Sequence, residues 1–176
     1  MHSQAPAYVD ASLFMGMHCR DEAVRIACKS FFVERIGTRL VMPLDQVGLC
    51  DDIVWRQPRR IQDLYYPFMD QLHTLLAAER VPYTTADIRR AHEDPRVKNL
   101  DGLRALLVAR VCNDRSQLYT IDYLLLGRLD LPVRAVTETA ERAFPEPIEA
   151  AYRISLALRV AANLSSTEPR DLCCAG

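Results

Sequence analysis

The sequence predicts an α/β fold, a three-layer α/β/α sandwich built around a parallel sheet. Short apolar segments alternate with amphipathic segments of helical period, and this alternation is typical of a parallel sheet covered on both faces. The chain has 176 residues, of which 49% are apolar and 26% charged, which is enough for one domain with a real core. Its net charge of -1 shows no global basic excess, so contact with nucleic acid would need a local patch.

Four short apolar segments are predicted to be strands. They lie at residues 7–9, 39–42, 118–121 and 131–133. Residues 11–14 continue the first apolar segment, and residues 81–83 are expected to be extended. Acids stand directly after the first and third of these strands, which makes the strand ends candidates for a functional site.

Helices are predicted between the strands from the spacing of apolar residues. Leu103, Leu106, Leu107 and Val111, for example, follow the i, i+3, i+4, i+8 pattern of a buried helix face. Gly37 ends the first helix, and Gln57-Pro58 separates two later ones. The predicted helices are 21–36, 45–54, 59–80, 84–93, 101–113, 137–144 and 148–164.

The chain is expected to form a single domain over residues 7–164. Residues 1–6 are predicted to be a disordered N-terminus and residues 165–176 a flexible tail. The vicinal pair Cys173-Cys174 in that tail is either a metal or thiol-exchange site or part of a disordered end. No apolar run reaches 18 residues and the start does not resemble a signal peptide, so a cytoplasmic protein without membrane contact is expected.

Three acids are expected to converge at one edge of the sheet. Asp10 and Asp122 each end a strand, and Asp101 begins the helix that leads into the Asp122 strand. Crowded carboxylates repel one another, and a divalent cation with oxygen ligands, Mg²⁺ or Mn²⁺, would relieve that repulsion. Such a site suits phosphodiester hydrolysis, in which the metal activates a water and stabilises charge on the phosphate. The alternative is that the three acids only cap helices.

These segments together resemble the PIN domain family of metal-dependent nucleases. The resemblance covers residues 7–136 and rests on VDASLF at 9–14, DGLRALL at 101–107, LYTID at 118–122 and LPV at 131–133. It implies a PIN-like sheet and a Mg²⁺- or Mn²⁺-dependent ribonuclease, with a toxin-type activity as one form. Asp10, Asp101 and Asp122 would be catalytic, metal-binding acids, and Ser12 and Thr120 would be supporting hydroxyls.

The fourth acid of the PIN pattern has no clear counterpart. Alignment on the second strand places Gly48 or Leu49 there, with Asp45 one turn earlier and Asp51 about one turn later. Either acid is therefore a candidate to complete the metal site. The ambiguity also favours a second reading, a weakly active or inactive PIN-like scaffold that binds a protein or RNA partner.

RNA and protein partners are expected on the segment that begins near Trp55. Arg56, Arg59 and Arg60 form the best local basic patch for a phosphate backbone, and a solvated helix start is the alternative. In toxin members of the PIN family the matching helical region packs against a partner, which implies an antitoxin. Residues 59–78 carry more apolar side chains than one core face needs, so a homodimer or a hetero-complex is predicted.

Overall fold

A single parallel sheet organises the chain. The structure is a computed structural model that describes residues 6–137 and 139–162. Its strands are β1 (Ala7–Val9), β2 (Leu40–Pro43), β3 (Glu79–Val81), β4 (Gln117–Thr120) and β5 (Val133–Ala135). They lie in the order β3-β2-β1-β4-β5, and every neighbouring pair is parallel. Within the described ranges, the predicted α/β fold is confirmed.

Helices cover both faces of the sheet and complete the three layers. They are α1 (Ala11–Gly16), α2 (Glu22–Glu34), α3 (Leu44–Trp55), α4 (Arg59–Leu76), α5 (Thr85–Glu93), α6 (Gly102–Asn113), α7 (Tyr123–Leu126) and α8 (Ile148–Ser155). Successive strand residues point to opposite faces of the sheet, so a separate hydrophobic core lies on each face. Tyr8 packs in a core with residues of α5 and α6, whereas Val9 packs in one with residues of α1, α2, α4 and α8.

The segment that follows β1 is a helix and not a continued strand. Asp10 caps α1 by accepting a hydrogen bond from the backbone N–H of Leu13. A side chain at Gly16 would place its Cβ 2.5 Å from Cys28 Sγ, so glycine allows α1 to pack closely on α2. The expectation of a continued apolar strand over residues 11–14 is therefore wrong. Helix α1 is almost entirely buried, so its six residues lack the exposed polar side chains that would have indicated a helix in the sequence.

The long helix α4 ends earlier than its sequence predicts. Ala77 adopts a left-handed conformation, with φ 47°, directly after Leu76, and β3 then begins at Glu79. β3 pairs with β2 and adds a fifth strand at the edge of the sheet. Residues 79 and 80 were predicted as the end of a helix, and the turn at Ala77 corrects this.

Residues 139–147 are irregular, where the sequence predicts a helix over 137–144. Their backbone is held by α2, because Ser30 Oγ donates to the carbonyl of Ala140 (3.2 Å) and accepts from the N–H of Arg142 (3.2 Å). Helix α8 ends at Ser155, whereas the sequence predicts a helix that continues to residue 164. The chain then turns, and Val160 forms a parallel bridge with Cys19.

A buried group of charged side chains fixes these last segments to α2. Lys29 is 1% exposed, and its Nζ donates to Glu141 Oε1 and to Glu149 Oε1, both at 2.9 Å. Arg25 donates to Glu141 and to the Tyr152 hydroxyl, both at 2.9 Å through Nη1. Hydrogen bonds from Arg25 lower the pKa of Glu141 to about 2, against the effect of burial. The contacts of Arg25 and Lys29 therefore hold residues 139–147 and α8 in place.

The surface of α4 offers little support for the predicted homodimer, which stays a prediction. Four apolar side chains of this helix are buried and four more are partly buried against the same core: Tyr65, Phe68, Leu72 and Leu76, and Ile61, Tyr66, Met69 and Leu75. The surplus of apolar residues is therefore covered within the chain. None of the helices within the described ranges combines the length and the apolar character that crossing a membrane requires.

Residues 1–5 and 165–176 lie outside the described residues. The expectations of a disordered N-terminus and of a flexible tail fall there, apart from Pro6, and so does the pair Cys173-Cys174.

Candidate active site

A cavity of about 410 Å³ opens at the carboxyl ends of β1 and β4. The chain leaves β1 toward β2 on one side, while β4 lies on the other side of β1, so the strand order reverses at this point. Ligands of open α/β sheets bind at such switch points. Asp10, Asp101 and Asp122 all line the cavity, as their strand-end and helix-start positions predict.

Asp10 is the buried centre of the site. It is 3% exposed, and its Oδ1 accepts from the Leu13 N–H (2.9 Å) and from Ser12 Oγ (2.8 Å). Its Oδ2 accepts from Thr120 Oγ1 at 2.5 Å. Burial raises the pKa of Asp10 to about 6, the negative charge of Asp122 adds to that rise, and the three hydrogen bonds oppose it. None of the described cationic side chains forms an ion pair with this carboxylate.

Ser12 and Thr120 connect the ends of β1 and β4, which fits the supporting role that the PIN resemblance implies. Their hydroxyl oxygens lie 2.9 Å apart, and each contacts Asp10. Thr120 Oγ1 accepts from the backbone N–H of Asp122 (2.9 Å), and Ser12 Oγ accepts from that of Ile121 (3.3 Å). The two hydroxyls therefore fix the relative position of the two strand-end acids.

Arg104 lies between the other two acids. Its Nε donates to Asp122 Oδ2 at 2.6 Å, and its Nη1 donates to Asp101 Oδ2. Burial opposes ionisation of Asp101, but hydrogen bonds from the side chain and backbone of Arg104 hold the pKa of Asp101 below its ordinary value. The sequence contained a signal for this contact, because Arg104 follows Asp101 by three residues on a helix, where side chains are neighbours.

The two acids proposed for the fourth position, Asp45 and Asp51, do not line the cavity. Asp45 accepts from Gln46 Nε2 at 2.8 Å, and Asp51 lines a separate cavity. Gln46 itself lines the cavity, and its Oε1 accepts from the N–H of Ala11 at 3.1 Å. The structure thus corrects the expectation that Asp45 or Asp51 completes the set, since helical periodicity turns both away from the strand-end acids.

Asp52 is the acid of α3 that lines the cavity, and sequence reasoning missed it. Its carboxylate pairs with Arg56.

The predicted basic patch divides between the cavity and the solvent. Arg56 lines the cavity and pairs with Asp52 at 2.6 Å. Arg59 pairs with Asp63 at 2.8 Å on the outer surface, and Arg60 is exposed. Arg159 also lines the cavity, where it pairs with Glu22 at 3.2 Å. Arg159 could not be placed from the sequence, because it reaches the site only through the bridge between Val160 and Cys19.

The donor set fits a hard divalent cation in its chemistry but is not assembled as a metal shell. Four carboxylates line the cavity, those of Asp10, Asp52, Asp101 and Asp122. Asp10 is buried without a cationic partner, and oxygen ligands of this kind select Mg²⁺ or Mn²⁺. Among the described residues, no three His, Cys, Asp or Glu side chains come together closely enough to hold a metal ion. The guanidinium of Arg104 lies between Asp101 and Asp122, and this is a physical reason why their carboxylates do not come together.

Comparison with known proteins identifies a family without assigning chemistry. The sequence pattern described as "Family of unknown function (DUF6190)" matches residues 1–165. The chain belongs to this family. No curated protein matches the chain. Chemistry for this DUF6190 protein therefore has to be inferred from the cavity.

The buried carboxylate of this DUF6190 protein gives a test that needs no substrate. Asp10→Asn is expected to raise the free energy of unfolding at pH 8, in chelator, by up to about 3 kcal/mol, the equivalent of a pKa change from 3.8 to about 6. The folded state binds a proton more tightly than the unfolded state, so ionisation destabilises the fold as the pH rises from about 4 through 6. The gain should therefore vanish below pH 4.

Urea denaturation across this pH range measures the effect. Asp63→Asn is the control, because Asp63 is exposed on α4 and outside the cavity. A loss of stability in Asp10→Asn at every pH would contradict the assignment of Asp10 as a destabilising buried charge.

Proposed function

We propose that this protein is a Mg²⁺- or Mn²⁺-dependent ribonuclease that hydrolyses phosphodiester bonds in the cavity at the ends of β1 and β4. The observation that carries the proposal is the meeting of Asp10, Asp101 and Asp122 along one cavity at the switch point of a parallel sheet. The order of these acids in the chain is also that of the PIN family, which the sequence resembles. A toxin-type role with an antitoxin partner is one form of this proposal.

The proposed roles of the acids follow from how firmly each is held. Asp10 is fixed by Ser12, Thr120 and the Leu13 N–H, so it would present a fixed negative charge to a cation. Asp122 is held by the N–H of Leu124 (2.9 Å) at the start of α7. A bound divalent cation would supply an activated water and charge stabilisation for the phosphate. Asp101 and Asp122 would help hold that cation once Arg104 no longer bridges them.

Several groups around the cavity suit a negatively charged chain with exposed bases. Arg56 and Arg159 on the wall are placed to contact phosphates, and Arg59 and Arg60 extend positive charge along the neighbouring surface. Tyr123 is 56% exposed directly beside Asp122, and Trp55 is 68% exposed beside Arg56. Exposed aromatic rings next to basic residues are typical of single-stranded nucleic acid sites, where bases stack on them.

A catalytically inactive scaffold that binds RNA or a protein is the second candidate. Two observations favour it: neither Asp45 nor Asp51 lines the cavity, and arginines already balance three of its four carboxylates. The amide of Gln46 is a neutral ligand, so it would attract a divalent cation less strongly than an acid at that place.

Cleavage of RNA by the purified protein decides between the two. The ribonuclease should cut a fluorescent single-stranded RNA in the presence of Mn²⁺ or Mg²⁺ and stop when chelator is added, because carboxylates without a cation repel the phosphate. Cleavage that persists in chelator, or in Asp10→Ala/Asp122→Ala, would indicate a contaminant or another mechanism. Binding without cleavage under every metal tested would favour the scaffold.

A further inference from the structure

Arg104 occupies a position that a cation in the cavity would need. The residue lies in the first turn of α6, and its side chain is 20% exposed at the cavity wall. Two separate nitrogens contact two separate acids, Nε with Asp122 and Nη1 with Asp101. The guanidinium thus bridges a strand-end acid and a helix-start acid.

The other basic residues of the cavity pair with other acids. Arg56, directly after α3, pairs with Asp52, which also lines the cavity, and Arg159 pairs with Glu22. Among the described residues, Arg104 is the cation that forms ion pairs with the acids predicted to bind metal. Its single positive charge is shared by Asp101 and Asp122, and Asp10 remains outside its reach as an ion pair.

The contacts of Arg104 can be exchanged without loss of the local fold. Asp101 caps α6 by accepting from the backbone N–H of Arg104 at 3.2 Å, and Asp122 caps α7 by accepting from the N–H of Leu124 at 2.9 Å. Both caps use the Oδ1 atoms, whereas the Arg104 side chain uses the Oδ2 atoms. Withdrawal of the guanidinium therefore frees one oxygen on each acid and leaves both helix starts capped.

We infer that Arg104 is a displaceable counter-ion that competes with a divalent cation for Asp101 and Asp122 and, once displaced, binds a phosphate of the RNA. The inference deepens the proposed ribonuclease function and rests on it. A guanidinium that leaves two carboxylates on the cavity wall needs another anion, and a phosphodiester offers the matching paired oxygens. Metal binding and substrate binding would then be coupled through one side chain.

The competition predicts opposite effects on two ligands. Arg104→Gln should bind Mn²⁺ at least about tenfold more tightly than the unmodified protein, because two charge-assisted hydrogen bonds no longer oppose the metal. In the presence of Mn²⁺, the same variant should bind a non-cleavable phosphorothioate-substituted RNA several-fold more weakly, on the order of fivefold or more, because a group that binds phosphate is lost. A purely structural defect would weaken both.

Calorimetric titration with MnCl₂ and fluorescence anisotropy with the non-cleavable RNA measure the two affinities. Arg128→Gln is the matched control, since Arg128 pairs with Asp130 outside the cavity, and it should change neither. Circular dichroism should show that Arg104→Gln remains folded.

Each outcome bears on a different part of the inference. Equal Mn²⁺ affinity in both proteins would overturn the competition and leave the ribonuclease proposal standing. Tighter Mn²⁺ binding with unchanged RNA affinity would support the competition and overturn the phosphate role. Mn²⁺ binding only by the variant would support the competition and refute a metal-dependent activity in the unmodified protein. Absence of Mn²⁺ binding in both would overturn the inference and the ribonuclease proposal together.

Discussion

Asp122→Asn is expected to reduce Mn²⁺-dependent RNA cleavage by about 100-fold or more, the scale on which loss of one electrostatic contact slows a reaction. It should also weaken Mn²⁺ binding, because asparagine keeps the shape of the side chain but removes the charge that a hard cation needs. The fold should survive, since Asp122 caps α7 through the N–H of Leu124 and asparagine is an equally good cap. Initial cleavage rates and calorimetric titration measure the two effects.

Asp130→Asn supplies the matched control for this experiment. Asp130 is exposed, pairs with Arg128 at 2.8 Å and does not line the cavity, so the substitution should leave both measurements unchanged. Equal Mn²⁺ binding by Asp122→Asn and the unmodified protein would remove Asp122 from the metal site. Cleavage at the unmodified rate would reject the ribonuclease assignment of this cavity.

Lys29→Met is expected to lower the free energy of unfolding by about 3–5 kcal/mol, the usual result of removing one partner from a buried ion pair. Methionine fills a similar volume, but Glu149, which is 4% exposed, loses the ammonium that lies 2.9 Å from its Oε1. The buried carboxylate is then left with the N–H of Phe144 and a longer contact with Arg153, at 3.4 Å. Urea denaturation monitored by circular dichroism measures the loss.

A double variant separates the charge effect from a packing defect. Lys29→Met/Glu149→Gln removes both charges, so it should recover part of the stability that Lys29→Met loses. Arg39→Met is a surface control, because Arg39 pairs with Glu79 at the exposed sheet edge and its loss should leave the free energy of unfolding nearly unchanged. A Lys29→Met protein as stable as the unmodified one would show that the buried pairs do not hold α8 in place.

Much of the fold could be predicted from the sequence because its central elements depend on local patterns. The strands β1 and β4 are short apolar runs that end at acids, and α6 carries a regular apolar stripe. The errors lie where tertiary contacts decide the structure. Residues 137–144 have an ordinary helical composition, but the contacts of Glu141 with the buried side chains of Arg25 and Lys29 hold residues 139–144 in an irregular path.

The candidate site was predictable in part for the same reason. Placement of acids at strand ends brought Asp10 and Asp122 to one cavity, because parallel strands end at the same edge. The acid of α3 was not predictable: Asp45 and Asp51 were the candidates and Asp52 lines the cavity, because a rotation of one residue along α3 changes which side chain faces it. Arg159 reaches the wall through the backbone hydrogen bond from the Val160 N–H to the His18 carbonyl (3.0 Å), a pairing without a local signal.

Under the proposed function, the three acids serve both the fold and the metal site, and this affects how the family can evolve. Asp10, Asp101 and Asp122 each accept a backbone N–H at the start of a helix, so each also serves the fold. A lineage that needs only the fold is free to exchange Asp101 and Asp122 for Asn, Ser or Thr, which cap helices as well. A lineage under selection for a charged site must keep aspartate at all three positions. Under the proposed ribonuclease function, sequence drift at 101 and 122 would mark the branches of the family that have lost that function.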